Sequence, residues 1–394
     1  GLVITGAGDL AIGAMGAANT NGLTKNGSGT TTLTGAQAYT GTTTVNEGTL
    51  KFVNGAMSTV QNRSYGPIAA GATLEFNVTT GSQGVGKFIP ISGGGTFKKT
   101  GAGTLSQTSA DTIIAMDPGA LFHIAEGIYI FGAGGIGFYT DNKSDLQVDE
   151  TAKYQGSATP ARFDALSGGG IIQFGGGLTL GVDNSTGSNV FTGIFQDDAM
   201  AYTNNSLTKV GTGTQILDGN NTYTGATTVS GGTLVIGGTN TSAITVASGA
   251  QLDGEGTTTG ALVFSGTTHT INADLGTAAA LGSTTSTDVN LLTDAMFFVN
   301  ISGSGSGAVD VLTHGGSFTG TLAKFAKGTG TVSTRAGSGV FSDSGTAIQY
   351  DAGFADKIWY ATTDQNWDEG ITGTDNWSAG GGDNKFYDGD NVTF

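Results

Sequence analysis

The chain carries one 28-residue segment twice, at Leu23–Leu50 and at Leu207–Leu234. The copies read LTKNGSGTTTLTGAQAYTGTTTVNEGTL and LTKVGTGTQILDGNNTYTGATTVSGGTL, lie 184 positions apart, and agree without a gap at 17 of 28 positions. The shared residues are chiefly glycines, threonines, one tyrosine and apolar anchors. Internal repeats of this kind usually mark stacked supersecondary units that bury a core only jointly. We therefore interpret the chain as one that builds a surface and not a pocket.

Composition narrows the class of protein further. Glycine contributes 71 of the 394 residues and proline only 4. Because there is no Gly-X-Y period, this glycine content excludes collagen, and a hydrophobic fraction of 37% argues against plain disorder. The chain has no cysteine, which is typical of many exported bacterial proteins, and no apolar run of 18 residues that could span a membrane as a helix.

The charge balance bears on possible partners. Acidic residues number 31 against 15 basic ones, for a net charge of −16. A surface of this sign repels phosphate groups and anionic lipids. We therefore expect no nucleic-acid partner and no membrane insertion by this chain.

Short β-branched runs, separated by Gly, Asn or Ser, predict an all-β fold. The clearest predicted strands are residues 42–45, 73–78, 113–116, 127–131, 233–236, 243–246 and 261–264. Apolar anchors recur in a G-x-L setting at Leu50, Leu74, Leu105, Leu121, Leu234 and Leu252. Spacings of 24 residues for the first pair and 18 for the last suit a parallel β-solenoid. An array of β-sandwiches is the second choice, because its hairpins would show more Asn-Gly or Asp-Gly turns.

The repeated pattern G-x-G-T-x-x-L-x-G-x-x-x-Y-T-G-x-T-T-V-x-x-G-T-L resembles the autotransporter-associated β-strand repeat of bacterial passenger domains and large secreted proteins. A degraded third start follows at 97–105, and residues 239–256 resemble the coils that continue the repeat. The resemblance implies a right-handed parallel β-helix, a location outside the bacterial cell or on its surface, and roles in adhesion, surface coating or secretion. It transfers no catalytic residue. The repeat anchors are Leu33, Tyr39, Val45 and Leu50, with Leu217, Tyr223, Val229 and Leu234 in the second copy, and we expect the Leu and Val anchors to point inward.

The repeats also suggest a division of the chain. We predict one repeat-bearing solenoid half at 1–206, a second at 207–350, and a Trp-rich segment at 351–394. Its tryptophans, Trp359, Trp367 and Trp377, are the only ones in the chain. We expect them to cover a coil end or a junction with a further module, although an aromatic platform for sugar is the functional alternative. Both ends read as strand-like, so we expect the chain to be cut from something longer.

No candidate site for chemistry is convincing. Residues 132–137 fit G-x-G-x-x-G, but no helix pattern follows to hold a pyrophosphate. The best acidic cluster for calcium is Asp383, Asp388 and Asp390, followed by the pairs at 197–198 and 149–150, but none has the spacing of a calcium loop. The histidines His123, His269 and His314 are too widely spaced to predict zinc. We expect no cofactor.

We therefore expect a structural extracellular rod or filament module that associates end to end with itself or with neighbouring modules. An adhesin that binds glycan or a host protein is the alternative, with residues 141–165 and 182–206 as its loops. A polysaccharide-degrading β-helix enzyme ranks third, because no arginine lies beside an acid pair and no carboxylates converge. We expect the chain not to be an enzyme.

Overall fold

The computed structural model describes residues 1–394 except 17–19, 57–62, 86–87, 108–112, 132–138, 140, 157–159, 184–187, 198–203, 255, 266–268, 276–281, 284–288, 292–296, 304–307, 315–317, 320, 328–339, 352–355, 360–376, 380–390 and 394. Within the described residues the chain is all-β, with two short 3-10 turns, η1 (Asn54–Ala56) and η2 (Leu322–Lys324), and no α-helix. None of the described helical segments is long and apolar enough to cross a membrane. The chain divides into two compact units, Gly1–Ile244 and Thr245–Phe394.

The strands of the first unit are short, between two and six residues each. They are β1 (Leu2–Ile4), β2 (Leu10–Ile12), β3 (Leu23–Lys25), β4 (Thr30–Leu33), β5 (Thr43–Val45), β6 (Thr49–Val53), β7 (Arg63–Ile68), β8 (Thr73–Asn77), β9 (Ser82–Val85), β10 (Phe88–Gly93), β11 (Thr96–Thr100), β12 (Thr104–Gln107), β13 (Ile114–Met116), β14 (Leu121–Ile124), β15 (Gly127–Ile130), β16 (Asp145–Val148), β17 (Ala152–Gln155), β18 (Ala161–Phe163), β19 (Leu166–Ser167), β20 (Ile171–Gln173), β21 (Leu178–Leu180), β22 (Ser188–Phe191), β23 (Ile194–Phe195), β24 (Leu207–Lys209), β25 (Thr214–Leu217), β26 (Asn220–Asn221), β27 (Thr227–Val229), β28 (Thr233–Ile236) and β29 (Thr239–Asn240).

The remaining strands run from the boundary to the end of the second unit. They are β30 (Ile244–Val246), β31 (Gln251–Asp253), β32 (Thr257–Thr258), β33 (Leu262–Phe264), β34 (His269–Leu275), β35 (Gly282–Ser283), β36 (Val289–Leu291), β37 (Phe297–Gly303), β38 (Ala308–Thr313), β39 (Phe318–Thr319), β40 (Phe325–Lys327), β41 (Val340–Asp343), β42 (Ala347–Asp351), β43 (Asp356–Trp359), β44 (Trp377–Ala379) and β45 (Asn391–Thr393).

The first unit stacks its strands on three faces. The first face holds β1, β3, β5, β7, β10 and β13 in that order. The second holds β2, β4, β6, β8, β11, β14, β16 and β19, and the third holds β9, β12, β15, β17, β20 and β23. Successive strands on each face pair in parallel, as β4 with β6 and β6 with β8. The stacked parallel sheets form a β-solenoid of about 10 turns, which confirms the predicted fold.

Each face continues beyond these strands toward the second repeat. Three further sheets continue the three faces in turn. The first contains β18, β21, β24 and β27, the second β22, β25 and β28, and the third β26 and β29. Backbone bonds bridge the changeover: Lys143 N donates to Met116 O at 2.9 Å, and Thr222 N donates to Phe195 O at 2.9 Å. The two repeat copies therefore lie in one uninterrupted stack.

The core lies inside the coil, because alternate strand residues point to opposite faces of a sheet. Aromatic rings stack there from coil to coil. The ring centroids of Phe52 and Phe76 are 5.1 Å apart, and those of Phe97 and Phe122 are 4.5 Å apart. Offset stacking of this kind adds to the area that the rings bury. This aromatic column fills the coils between the two repeats.

The register confirms part of the predicted anchor spacing. Leu50 lies opposite Leu74, 24 positions on, as the sequence predicts. Leu121 is wrong as an anchor, because it lies half-buried while its neighbour Phe122 is buried. Coil length is also less uniform than predicted, since Leu178 pairs with a residue 29 positions on, at the start of the second repeat.

The segments predicted as adhesin loops contain several strands. Residues 141–165 contain β16, β17 and β18, and residues 182–206 contain β22 and β23. These segments read as polar because their outward positions carry charged and polar side chains. Their alternate positions, including Leu146, Tyr154 and Phe163, are buried.

The second unit mixes two kinds of pairing. Strands β34, β37 and β40 pair in parallel, whereas β38, β42 and β41 form an antiparallel sheet. Val311, Leu312, Ile348 and Tyr350 are buried in this unit. The described strands of 207–350 thus include both parallel and antiparallel pairing.

Two earlier expectations about organisation are not decided by these units. Leu207 begins β24, which stacks on β21 within the first unit, and the division into repeat-bearing halves at 206 stays a prediction. In the Trp-rich segment, β43 pairs with β44, where Trp359 lies opposite Trp377, while Trp367 lies outside the described residues. The junction role of the three tryptophans stays a prediction.

Candidate functional site: the repeat coils

The two repeat copies fold alike. The strands β3, β4, β5 and β6 of the first copy start at the same repeat positions as β24, β25, β27 and β28 of the second. All eight predicted anchors are buried, with at most 1% of each side chain exposed: Leu33, Tyr39, Val45, Leu50, Leu217, Tyr223, Val229 and Leu234. The repeat thus describes a local three-dimensional unit and not only a shared composition.

A buried hydroxyl pair explains the tyrosine of the motif. The Tyr39 hydroxyl lies 2.5 Å from the Thr43 hydroxyl, and in the second copy Tyr223 and Thr227 repeat this contact at 2.6 Å. All four residues are fully buried. A buried hydroxyl that lacks a partner is costly, so the Tyr-Thr-Gly-x-Thr spacing provides both halves of one bond.

A side-chain amide holds one corner of each repeat coil. Gln37 donates from Nε2 to the backbone oxygen of Gly35 at 2.6 Å, and Asn221 donates from Nδ2 to that of Gly219 at 3.0 Å. The two amides occupy equivalent repeat positions and are both fully buried. They use a side chain to satisfy a corner carbonyl that no strand ladder reaches.

Backbone conformation and close packing both require glycine at the position before the final Thr-Leu of the repeat, which is Gly48 in the first copy and Gly232 in the second. Gly48 and Gly232 have φ of +67° and +61°, a backbone region that favours glycine. A Cβ on Gly48 would lie 2.5 Å from the backbone oxygen of Gly27, and one on Gly232 would lie 2.4 Å from that of Gly213. At this corner, neighbouring coils are too close for any side chain.

A buried lysine is the feature of the repeat that sequence reasoning missed. Lys25 and Lys209 stand at the same repeat position, and only 1% and 2% of their side chains are exposed. Lys25 Nζ donates to the carbonyl oxygen of Gly27 in its own turn and, at 3.2 Å, to that of Glu47 in the next coil. Lys209 Nζ repeats the second contact, donating to Gly231 O at 3.3 Å. The ammonium group thus joins two successive coils.

The same arrangement recurs at Lys99, in the degraded third start. Its Nζ donates to the backbone oxygens of Thr100, Gly101 and Glu126 at 2.9, 2.7 and 2.9 Å. These three contacts match the three N–H donors of an ammonium group. However, Lys99 lies near the end of β11 on the second face. Lys25 and Lys209 instead end strands β3 and β24, which belong to the first face and its continuation. The segment at 97–105 is therefore the same local turn at a different corner, and not a third repeat in phase.

Burial changes the acidity of these lysines. Desolvation lowers the pKa of Lys99 to about 8, and it also lowers the pKa values of Lys25 and Lys209. The signal for all three was in the sequence: the lysine is identical in both copies and precedes a G-x-G turn each time. An exposed lysine at that position would have no reason to repeat.

The repeat residues are therefore consumed by the fold itself. The buried polar residues of the repeat bond to backbone groups or to each other, while its outward strand positions carry half-exposed threonines. Within the described residues, no three His, Asp, Glu or Cys side chains lie close enough to hold a metal ion. The calcium candidates Asp383, Asp388 and Asp390 and the G-x-G-x-x-G segment 132–137 lie outside the described residues.

Of the other candidate acids, Asp197 and Asp149 have structural partners, while Asp198 lies outside the described residues. Asp197 accepts bonds from the Asn205 backbone N–H at 2.9 Å and from the Thr224 hydroxyl at 2.6 Å, which ties down a corner. Asp149 lies 2.8 Å from His123 Nε2 on the outer surface. His314 is buried beside Asp343 at 3.2 Å, and of His269 only the backbone, in β34, is described.

A shallow open depression lies on the surface of the first unit. It is lined by Glu150, Gly168, Gly169, Val190 and Thr192. A single carboxylate with one hydroxyl and an exposed valine is not a catalytic constellation, because no second acid or base converges there.

Comparison with known families agrees with the repeat. The family described as passenger-associated-transport-repeat matches residues 23–52 and 207–236, the two segments whose coils are described above. No curated protein and no solved structure matches the chain. The two matches, together with the parallel β-solenoid, fit an autotransporter passenger β-helix and confirm the resemblance seen in the sequence.

Proposed function

We propose that the chain is a structural module of a bacterial surface or secreted protein, and that its working part is the stacked wall itself. One observation carries this proposal: in both repeat copies a buried lysine bonds to a backbone carbonyl of the next coil. Contacts that hold successive coils together stiffen the stack, and this favours a structural role. The match to the passenger-associated repeat supports a location outside the cell.

The outer surface supports the same reading. On the second face, Thr30, Thr49, Thr73 and Thr96 lie opposite one another in successive strands. Stacked threonines of this kind stabilise a ladder without presenting reactive groups. In our proposal the chain is therefore not an enzyme, needs no cofactor, and has protein or glycan surfaces or further coils as its partners.

An adhesin is the second candidate, and one observation favours it. On the third face, Ile171 lies opposite Ile194, which is 37% exposed. Val190, in the depression described above, is 42% exposed. Exposed apolar side chains are candidates for contact with a partner, although Val190 and Ile194 lie in different sheets.

Localisation and binding assays together test the two roles. An antibody against the chain should label intact cells of the bacterium that produces it, and glycan and host-protein arrays should give no saturable binding. Labelling only after permeabilisation would refute the extracellular role. Saturable binding that is lost in an Ile194→Ser variant but kept in a matched Val3→Ser variant would establish the adhesin instead.

A further inference from the structure

Two buried amide oxygens in the first unit lack a hydrogen-bond donor. They are Gln173 Oε1, at the end of β20, and Asn205 Oδ1, shortly before β24, and neither has a partner among the described residues. Gln173 is 6% exposed and Asn205 is fully buried. A buried acceptor without a donor destabilises a fold, so the chemistry around these two oxygens has to explain them.

Both amides lie against the same stretch of backbone, residues 196–197. Gln173 Nε2 donates to Asp197 O at 3.4 Å, and Asn205 Nδ2 donates to Gln196 O at 2.6 Å. The oxygen and the nitrogen of an amide share one carbon, so both unpartnered oxygens also lie beside this stretch. One corner of the coil therefore holds both of them.

A half-buried carboxylate adds a negative charge to this corner. Asp197 Oδ1 accepts from Asn205 N at 2.9 Å, and Oδ2 accepts from the N–H and the hydroxyl of Thr224 at 3.2 and 2.6 Å. A carboxylate has about four lone-pair sites, so these three donors leave room for one more ligand. Within the part of the chain that the structure describes, no basic side chain forms an ion pair with Asp197. Charges withdrawn from water are usually paired or bound to a metal ion.

We propose that this corner, formed by Gln173, Asp197 and Asn205, binds one calcium ion. The free groups here are two amide oxygens and one carboxylate, which are ligands that Ca²⁺ accepts in proteins. A water molecule would donate to the same oxygens, but it would leave the charge of Asp197 without a counter-charge.

The donor set also indicates the strength of this site. A single carboxylate gives it a low charge, which is typical of the weak sites of extracellular modules, with dissociation constants of about 10⁻⁴–10⁻³ M. The ion is structural, because it joins the end of β20 to the segments that follow β23 and precede β24. This inference goes beyond the proposed structural role, which does not depend on it.

Hydrogen exchange of the full chain at increasing calcium concentration tests the proposal. The amides of Asn205 and Thr224 donate to Asp197, so calcium should slow their exchange, with half-saturation at about 10⁻⁴–10⁻³ M. Gln173→Glu turns one amide ligand into a carboxylate and should lower the half-saturating concentration by about tenfold or more, because affinity rises with the charge of the ligands. Asn205→Asp should act in the same direction.

The matched control is Gln107→Glu, in the third-face strand β12. Gln107 is also fully buried, but its Oε1 accepts from the Tyr129 hydroxyl at 2.7 Å, and its unpartnered atom is the donor Nε2. An N–H donor cannot bind a cation. This variant should therefore keep the calcium dependence of the native chain.

Exchange at Asn205 and Thr224 that does not respond to calcium, in the native chain and in Gln173→Glu, overturns the proposal. So does an equal response to magnesium, which demands a near-octahedral site, or an equal shift in Gln107→Glu. If Gln173→Glu does not fold, the native chain and Asn205→Asp still decide. A chain that ignores calcium but is detected on intact cells refutes this inference alone and leaves the structural role standing.

Discussion

At the scale of single residues, the buried lysines define this chain best. Lys25, Lys99 and Lys209 each place an ammonium group among backbone carbonyls at a G-x-G turn, although burial penalises their charge. A buried charge persists only where its hydrogen bonds are satisfied. Here the carbonyls belong to two successive coils, so the charge is tied to correct stacking.

Replacing Lys99 by methionine should destabilise the chain. The change keeps the apolar stem but leaves the carbonyls of Thr100, Gly101 and Glu126 without their donor. Leaving buried acceptors unsatisfied costs about 1–3 kcal/mol. Chemical denaturation measures the loss. The neighbouring Lys98→Met is the control, because Lys98 points outward. An equal loss of stability in both variants would show that the bonds from Lys99 to the three carbonyls do not stabilise the fold.

The same lysine predicts a dependence of stability on pH. Desolvation by burial lowers the pKa of Lys99 in the folded chain to about 8, below its ordinary value of 10.5. Between these values the unfolded chain binds more protons than the folded one, so this group makes stability rise as pH increases. Subtracting the pH profile of Lys99→Met from that of the native chain should isolate a rise across this window. A flat difference would show that the lysine keeps its ordinary pKa in the fold.

The raised pKa of Asp145 predicts the opposite dependence, a stability that falls as pH rises. Desolvation, with the nearby charges of Asp164 and Asp183, raises its pKa to about 6 from 3.8. The stability that this raised pKa contributes is complete below 3.8 and is lost as pH rises through 6. Asp145→Asn should therefore raise the melting temperature at pH 7 and have little effect at pH 3.5. Asp117→Asn, at an exposed site, removes the same charge and should not reproduce the gain.

At the scale of the coil, the repeat was easier to predict from sequence than the segments between its copies. Strands at 73–78, 233–236 and 261–264 were placed to within one residue, because β-branched runs bounded by glycine are a strong local signal. Leu121 was misassigned by one position, since a G-x-L rule ignores which residue of the strand faces the core. The buried lysines were not predicted, because a charged side chain is usually exposed.

A core leucine of the repeat should act locally. Leu234→Ala empties a fully buried position in β28 and should cost roughly 2–5 kcal/mol. In a solenoid each coil contacts only its neighbours, so hydrogen exchange should quicken mainly in β25 and in residues adjacent to β28. Val235→Ala, on the outer side of the same strand, is the matched control. Faster exchange spread evenly through the first unit would contradict a stack of semi-independent coils.

At the scale of the whole molecule, the two units differ in construction. The first unit is a parallel stack with an aromatic column, and the second includes an antiparallel sheet with its own buried residues. Both repeat copies and the three buried lysines belong to the first unit. Sequence repetition could therefore predict the first unit well, while the second offered no repeat from which to argue.

The distribution of tryptophan makes the two units separately observable. All three tryptophans lie in 245–394, so their fluorescence reports on the second unit alone, whereas circular dichroism reports on the strands of both. Because each unit has a core of its own, we expect two unfolding steps and not one. Tryptophan emission should follow only one of the two steps seen by circular dichroism in a urea titration. Lys99→Met, which affects the first unit, should then move the other step and leave the fluorescence midpoint in place. A single transition that both probes trace together, and that Lys99→Met shifts in both signals, would instead show that the units unfold as one.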